Sequence, residues 1–397
     1  MNKHILNTEI QVFISEKLFT NVNALILKGS PFTEVTVKEL VNQIQAKQKA
    51  LEKLPTWASC KSIYYPEKIS IEQTSSEITA LYKSTLVKGN SIIDITGGFG
   101  IDAYFFAKKF KKVVHCEINK SLSNIVNYNY KQLEIHNITT VADNGIDYLK
   151  TVTNTNFDCI YIDPSRRNDH KGKVFLLKDC LLNVSDNLDF LFSKSNTILI
   201  KNSPILDITA TINELNFVKE IHIIAVKNEV KELLFLLEKE YTENNITIKT
   251  VNLLKNNKHV FNFKYNQKVI ANYSQPLTYL YEPNAAILKA GAFNEIAIEF
   301  NINKLHQHSH LYTSKEFINN FPGRNFLIKE VINYDKKKLS KLIPEKKANI
   351  TTRNFPKTVA QIRKETKLKD GGDWYLFFTK TEDNKNKVII CKQLFNK

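Results

Sequence analysis

"SIIDITGGFGIDAYFFA", Ser91 to Ala107, runs from a short apolar strand through a glycine loop into a helix. Apolar residues at successive positions suit a strand buried on both faces, and a strand, glycine loop and helix in that order form the ligand-binding corner of a doubly wound α/β sheet. Gly98-Phe99-Gly100-Ile101-Asp102-Ala103 satisfies the G-x-G-x-x-A fingerprint of dinucleotide sites, with Glu117 placed 17 residues after Gly100 to hold a ribose. Asp94 argues for a different ligand. A carboxylate at the loop mouth repels a pyrophosphate.

S-adenosylmethionine has no phosphate and carries an ammonium and a sulfonium, so acids beside the loop stabilise it, while the glycines let the backbone approach it closely. Asp94, Thr96, Gly98 and Gly100 are the candidate loop contacts. Glu117 ends the strand "KVVHCEI" and can accept from both ribose hydroxyls; Asp143 in "VADNG" follows the third strand and can accept from the adenine amine. The fourth strand, "FDCIYIDPSRR", delivers Asp163 into a turn fixed by Pro164.

Outward from this corner, strands are expected at "ITTVA", "NTILIK" and "EIHIIAV", with an antiparallel finish at "ITIKTVNLL" and "HVFNFKY". The spacing predicts four parts: an N-terminal helical region over 1–86 with a break at "LPTW", a doubly wound Rossmann-like α/β domain over 87–265, a short segment over 275–317 and a basic module over 318–397. The 397 residues, 43% hydrophobic and 24% charged, are ordinary for a soluble protein. No apolar run reaches a membrane span and "MNKHILNTEI" lacks the core of a signal peptide, so no membrane partner and a cytoplasmic location are expected. Five scattered cysteines exclude a C-x-x-C cluster, and no metal is expected.

Of the +16 net charge, +10 falls in residues 331–397, which hold 17 Lys and Arg against 7 Asp and Glu. That clustering is the footprint of a nucleic-acid-binding module. The chain has only five arginines, Arg166, Arg167, Arg324, Arg353 and Arg363, so each is a candidate for work that needs a planar fork of donors. Arg324, Arg353, Arg363 and Lys369 are the candidate RNA contacts, with Phe326, Phe355 and Trp374 as candidate stacking surfaces. His306, His308 and His310 alternate in "HQHSH" and read as a polar loop.

Strand, glycine loop, two acids at strand ends and D-P after strand four together resemble the class I methyltransferases. With the flanking "KLPTW", "IEQTSSEITALYKS", "DITGGFGID", "HCEIN", "YIDPSRR", "GKVFLLKDC", "ILIKNSPILDI", "YEPNAAILKAGAF", "FPGRNF" and "KLKDGGDWYLF", the chain resembles a narrower bacterial family over nearly its whole length. That family joins an S-adenosylmethionine-dependent methyltransferase domain to a THUMP-like C-terminal domain, some members with a small ferredoxin-like insert before it. The resemblance implies a methyltransferase sheet with smaller α+β C-terminal domains and suggests RNA as substrate. It adds Gln73, Ser75 and Ser76 as candidate cofactor contacts, against the plainer reading of a helix N-cap at Thr74 or Ser75.

Related amine methylases follow the strand-four acid with Pro-Pro-aromatic. Here Asp163 and Pro164 fit, whereas Ser165 and Arg166 replace the rest, and Arg166 or Arg167 is expected to stack on the base or clamp its phosphate. Pyrimidine C5 methylation needs a nucleophilic cysteine, and Asn202-Ser203-Pro204 stands where those enzymes carry one. Cys159 and Cys180 read as core residues. N-methylation of an RNA base is therefore expected, in rRNA or tRNA, ahead of 2′-O-methylation. A small-molecule or protein methyltransferase, or a degenerate RNA-binding protein, are the alternatives.

Overall fold

The computed structural model describes residues 1–153, 155–165, 176–243 and 245–394. Two compact units emerge, Met1–Lys219 with Leu233–Glu243, and Glu220–Glu232 with Asn244–Lys397. Among the described residues no helix is long and apolar enough to cross a membrane.

In the first unit the strands β1 (Ser91–Asp94), β2 (Lys112–Cys116), β3 (Ile138–Val141), β4 (Cys159–Ile162) and β5 (Thr197–Asn202) run parallel in the order β3-β2-β1-β4-β5. Ile92, Ile93, Val113, Val114, Ile160, Ile162 and Ile198 to Ile200 are all buried, as two-sided burial demands. The order reverses at β1, which lies between β2 and β4, so the ligand corner stands at the switch point of the sheet. The strands and the doubly wound architecture expected from the sequence are present.

Two further strands follow, β6 (Val218–Val226) and β7 (Glu229–Glu238), and the sequence reading passes over the second. "EVKELLFLLE" is rich in Leu, Glu and Lys, which favour helix, and its turn is Lys227-Asn228 in place of the usual Asn-Gly. Both turn residues take positive φ, 50° and 67°, and Leu233, Leu234, Phe235 and Leu237 are buried where Leu233–Glu238 pairs antiparallel with Asn202–Thr197. Tertiary burial overrides local propensity here.

The N-terminal helices belong to the same unit. Helix Val37–Lys53 starts with a capping box of Thr36 and Glu39 and stops at Leu54, where Pro55 opens the short helix Pro55–Ser59. Trp57 is fully buried with its ring 4.8 Å from Phe99, 5.7 Å from Tyr104 and 6.2 Å from Tyr130, so "KLPTW" is a wall of the glycine corner. Glu77 holds that turn in place, accepting from the Thr56 amide at 2.7 Å and its hydroxyl at 2.7 Å.

The second unit includes residues Glu220–Val226 of β6, with which β8 (Thr247–Leu253) pairs in parallel, and β8 pairs antiparallel with β9 (Lys258–Lys264). A seven-stranded sheet is built from β10 (Tyr279–Pro283), β11 (Asn303–Lys304), β12 (Tyr312–Ser314), β13 (Gly323–Asn333), β14 (Asn349–Arg353), β15 (Trp374–Lys380) and β16 (Asn386–Leu394). Their order is β11-β12-β10-β13-β16-β15-β14, with only β14 and β15 parallel.

This sheet curls. Glu282 on β10 and Arg353 on β14 are four strand positions apart, about 19 Å across a flat sheet at roughly 4.8 Å per strand. Yet Arg353 Nη2 donates to Glu282 Oε1 at 3.0 Å, while Arg324, directly across from Glu282, donates Nε to Oε2 at 2.8 Å. A carboxylate 5% exposed thus ties β10 and β13 to the edge strand β14 across the curl. Asn354 and His306 at 3.0 Å, and the Ser309 hydroxyl on the Lys380 carbonyl at 2.8 Å, join the same loops.

Candidate active site

Burial of Asp94 at the end of β1 decides the character of the corner. Its side chain is 1% exposed and accepts from the Thr96 amide at 2.9 Å. Burial, with Asp102 and Asp163 as like charges nearby, pushes its carboxyl well above the ordinary range. A cation placed beside it would reverse that cost. Thr96 has a structural use: its hydroxyl accepts from the Asp163 amide at 2.6 Å and lies 3.3 Å from Asp94 Oδ1.

The three loop glycines differ. At Gly97 a Cβ would come within 2.2 Å of His115 Nε2, and at Gly100, with φ +79°, within 2.1 Å of the Tyr130 hydroxyl, so both are demanded by packing. Gly98, with φ +55°, has nothing nearer than the Thr96 carbonyl at 4.0 Å. Open space above a backbone in the left-handed region is the cradle a ligand would fill. Beneath the loop His115 is fully buried, and desolvation lowers its imidazole to about 4, so it is neutral at pH 7.

Glu117 turns back over the loop, Oε2 accepting from the Gly98 amide at 2.9 Å and Oε1 from the Asn119 amide at 2.7 Å. A carboxylate offers about four acceptor positions, so two remain for a diol. Asp143, exposed after β3, accepts from the Asn144 amide at 2.7 Å, and Asn144 caps the helix Gly145–Thr151. Ile118, 70% exposed just after β2, is an apolar surface beside Glu117 that the sequence reading does not name.

A second layer of charge, also missed, lies below. Asp102 in the helix Ile101–Ala107 accepts from the Ser75 hydroxyl at 2.7 Å and the Tyr161 hydroxyl at 2.8 Å, and pairs with the fully buried Lys83 at 3.1 Å. Burial raises its carboxyl, but Lys83, Lys201 and the Ser75 and Tyr161 hydroxyls together outweigh this and the net shift is downward. At the end of β4 Asp163 forms an ion pair with Lys201 of β5. Pro164 is buried behind it, and Arg166 and Arg167 lie outside the described residues.

The upstream candidates fare differently. Ser75 turns inward to Asp102 and Lys83, so it supports the loop from beneath. Ser76 is the N-cap, in place of Thr74 or Ser75, and its hydroxyl meets Thr79 Oγ1 at 3.2 Å; Gln73 is exposed at the end of the helix Lys68–Gln73. Cys159 and Cys180 are buried.

In the second unit the arginines expected on RNA are engaged by the protein. Arg324 and Arg353 share Glu282, and Arg363 donates to the Leu368 carbonyl at 3.1 Å and pairs with Asp370. Phe326 is fully buried, Phe355 lies against Tyr334 and Phe378, and Lys392 covers the Trp374 ring at 3.8 Å. Each of the three uses its fork of donors on a protein carboxylate. Lys369 is exposed, and its amide bonds to the Lys346 carbonyl at 2.8 Å, which brings Lys346, Lys347 and Lys369 to one exposed spot. His306 bonds to Asn384 at 3.0 Å, and His310 stacks on Phe293 at 3.6 Å; no three His, Cys, Asp or Glu residues among the described ones could hold a metal ion.

A family model described as a ferredoxin-like domain matches residues 279–322, and one described as THUMP domain-like matches residues 323–393. The chain is 30% identical to an inferred methyltransferase from Porphyromonas gingivalis W83, whose crystal structure superimposes with a TM-score of 0.87 over 99% of each chain. The chain belongs to the class I methyltransferases with a THUMP-like domain. An rRNA methylase from Streptococcus thermophilus, 15% identical, covers 42% of this methyltransferase-family chain and 98% of its own with a TM-score of 0.30. M. capricolum TrmK, solved with S-adenosylhomocysteine, is 17% identical and covers 40% of this chain and 67% of its own with a TM-score of 0.30. None of the curated proteins matches.

Proposed function

We propose that this chain is an S-adenosylmethionine-dependent methyltransferase that methylates a base nitrogen in RNA, its C-terminal lysines holding the RNA backbone. The observation that carries the cofactor reading is the buried Asp94 carboxyl beside the open backbone of Gly98, with Glu117 and Asp143 at the next two strand ends. Asp94, Thr96, Gly98 and Gly100 would hold the amino-acid portion, Glu117 the ribose, and Asp143 with Ile118 the adenine. Gln73 and Ser76 are proposed at the rim of this pocket. When bound, the cofactor supplies an electrophilic methyl group on a sulfonium.

The chain's own part is placement. Asp163, fixed by Thr96 and Lys201, accepts from the amine to be methylated, and Pro164 holds the turn; methyl transfer of this kind gains mainly from orientation. Arg166 and Arg167 are proposed to contact the base or its phosphate. Exposed Lys346, Lys347 and Lys369 support RNA binding by counterion release, and reduced, mostly buried cysteines accord with a cytoplasmic setting. Comparing the modified nucleosides of rRNA and tRNA from a deletion strain and its parent tests the reading: one methylated nucleoside should be missing, and identical profiles would contradict it.

A further inference from the structure

The sequence reading gave Lys201 no role. Its amine is ion-paired with Asp163, its side chain 13% exposed and the carboxylate's 35%. The register explains the meeting: Ile162 stands across from Ile200, so the next residues of β4 and β5, Asp163 and Lys201, are brought level. Asp163 is fixed from the other side by its amide on the Thr96 hydroxyl at 2.6 Å. Exposed apolar residues flank the pair, Leu181, whose amide donates to the Ser165 carbonyl at 2.8 Å, and Ile205 just beyond β5. One acceptor and one charged donor therefore stand side by side in fixed positions at the edge of the cofactor corner.

Resting on the function proposed above, we propose that Lys201 is the specificity-determining partner of Asp163, and that together they read two neighbouring atoms of a base edge. An exocyclic amine donates to Asp163 and the unprotonated ring nitrogen beside it accepts from Lys201. Adenine N6 with N1, cytosine N4 with N3 and guanine N2 with N3 carry this pattern. A 2′-hydroxyl, a pyrimidine C5 or a ring nitrogen as methyl acceptor does not. Methylation of the amine forms a nitrogen–carbon bond as the donor's carbon–sulfur bond breaks, leaving the electron pair on sulfur, and the proton released passes to Asp163.

The test uses the full chain, S-adenosylmethionine labelled in its methyl group, and total RNA from a strain lacking the gene. The label is expected in an exocyclic N-methyl nucleoside. Lys201→Met keeps its affinity for S-adenosylmethionine within about twofold by calorimetry, yet loses about 10- to 100-fold in kcat/KM, the value of one charge-assisted hydrogen bond. Lys201→Arg, which keeps a charged donor, recovers part of that loss. Label on a ring nitrogen, on C5 or on a 2′-oxygen, or parental kcat/KM in Lys201→Met, overturns the inference while the methyltransferase reading stands. A parent that binds the cofactor but labels no RNA overturns both.

Discussion

Thr96 ties the first and fourth strands together, its hydroxyl accepting from the Asp163 amide at 2.6 Å. The strut fixes the loop after β1 against the turn after β4. Thr96→Val orphans the Asp163 amide and is expected to cost about 1–3 kcal/mol of stability, with Thr96→Ser close to the parent. Thermal unfolding of the two variants measures this; equal midpoints for Val and Ser contradict it.

Gly98 and Gly100 predict opposite phenotypes. Gly98→Ala meets open space and costs only about 1 kcal/mol for its left-handed backbone, but its methyl group occupies the ligand's approach. It should fold and fail to bind S-adenosylmethionine. Gly100→Ala drives a methyl group into the Tyr130 hydroxyl and should unfold at markedly lower temperature. Calorimetric titration beside a thermal melt separates the two.

Asp94 sets a pH dependence. Because its folded carboxyl titrates well above the unfolded value, the ligand-free protein loses stability as pH rises from the ordinary carboxylate range through the raised one. A cation binds the ionised form, so binding expels a proton, and affinity for S-adenosylmethionine should rise with pH across that window, by up to about tenfold per unit. Titrations in buffers of different ionisation heat count the proton. Asp94→Asn should abolish the pH slope and weaken binding.

The RNA surface is predicted to lie on lysines. Replacing Lys346, Lys347 and Lys369 by Gln should lower the salt slope of RNA binding by about 2 to 3, at roughly 0.7–0.9 per phosphate contact. Glu282→Gln should instead loosen the clasp on Arg324 and Arg353, costing about 1–2 kcal/mol of stability without weakening RNA binding. A slope unchanged in the lysine variant, or RNA binding lost on Glu282→Gln alone, contradicts this assignment.

Legibility in the sequence followed range. The positions of Asp94, Glu117, Asp143 and Asp163 at or just past strand ends, and the glycine loop after β1, were legible because each belongs to a run whose period and order are local. Lys83, Lys201 and the inward turn of Ser75 could not: they depend on partners 19 to 38 positions away, Asp102 and Asp163, and nothing in "YKS" or "LIKN" marks a lysine as drawn to a carboxylate. The same holds for Arg324 and Arg353, whose shared partner Glu282 is reached only because the sheet curls. β7 was missed for the converse reason, a local helix preference overridden by burial.

The central claim is that acids at neighbouring strand ends select a cationic methyl donor over a phosphate-bearing coenzyme. Isothermal titration of the parent protein and Asp94→Asn with S-adenosylmethionine and with NADH tests it most directly. The account predicts that the parent binds S-adenosylmethionine, that the variant loses at least about tenfold in affinity, and that neither binds NADH. Binding of NADH by the parent, with no heat from S-adenosylmethionine, would contradict it.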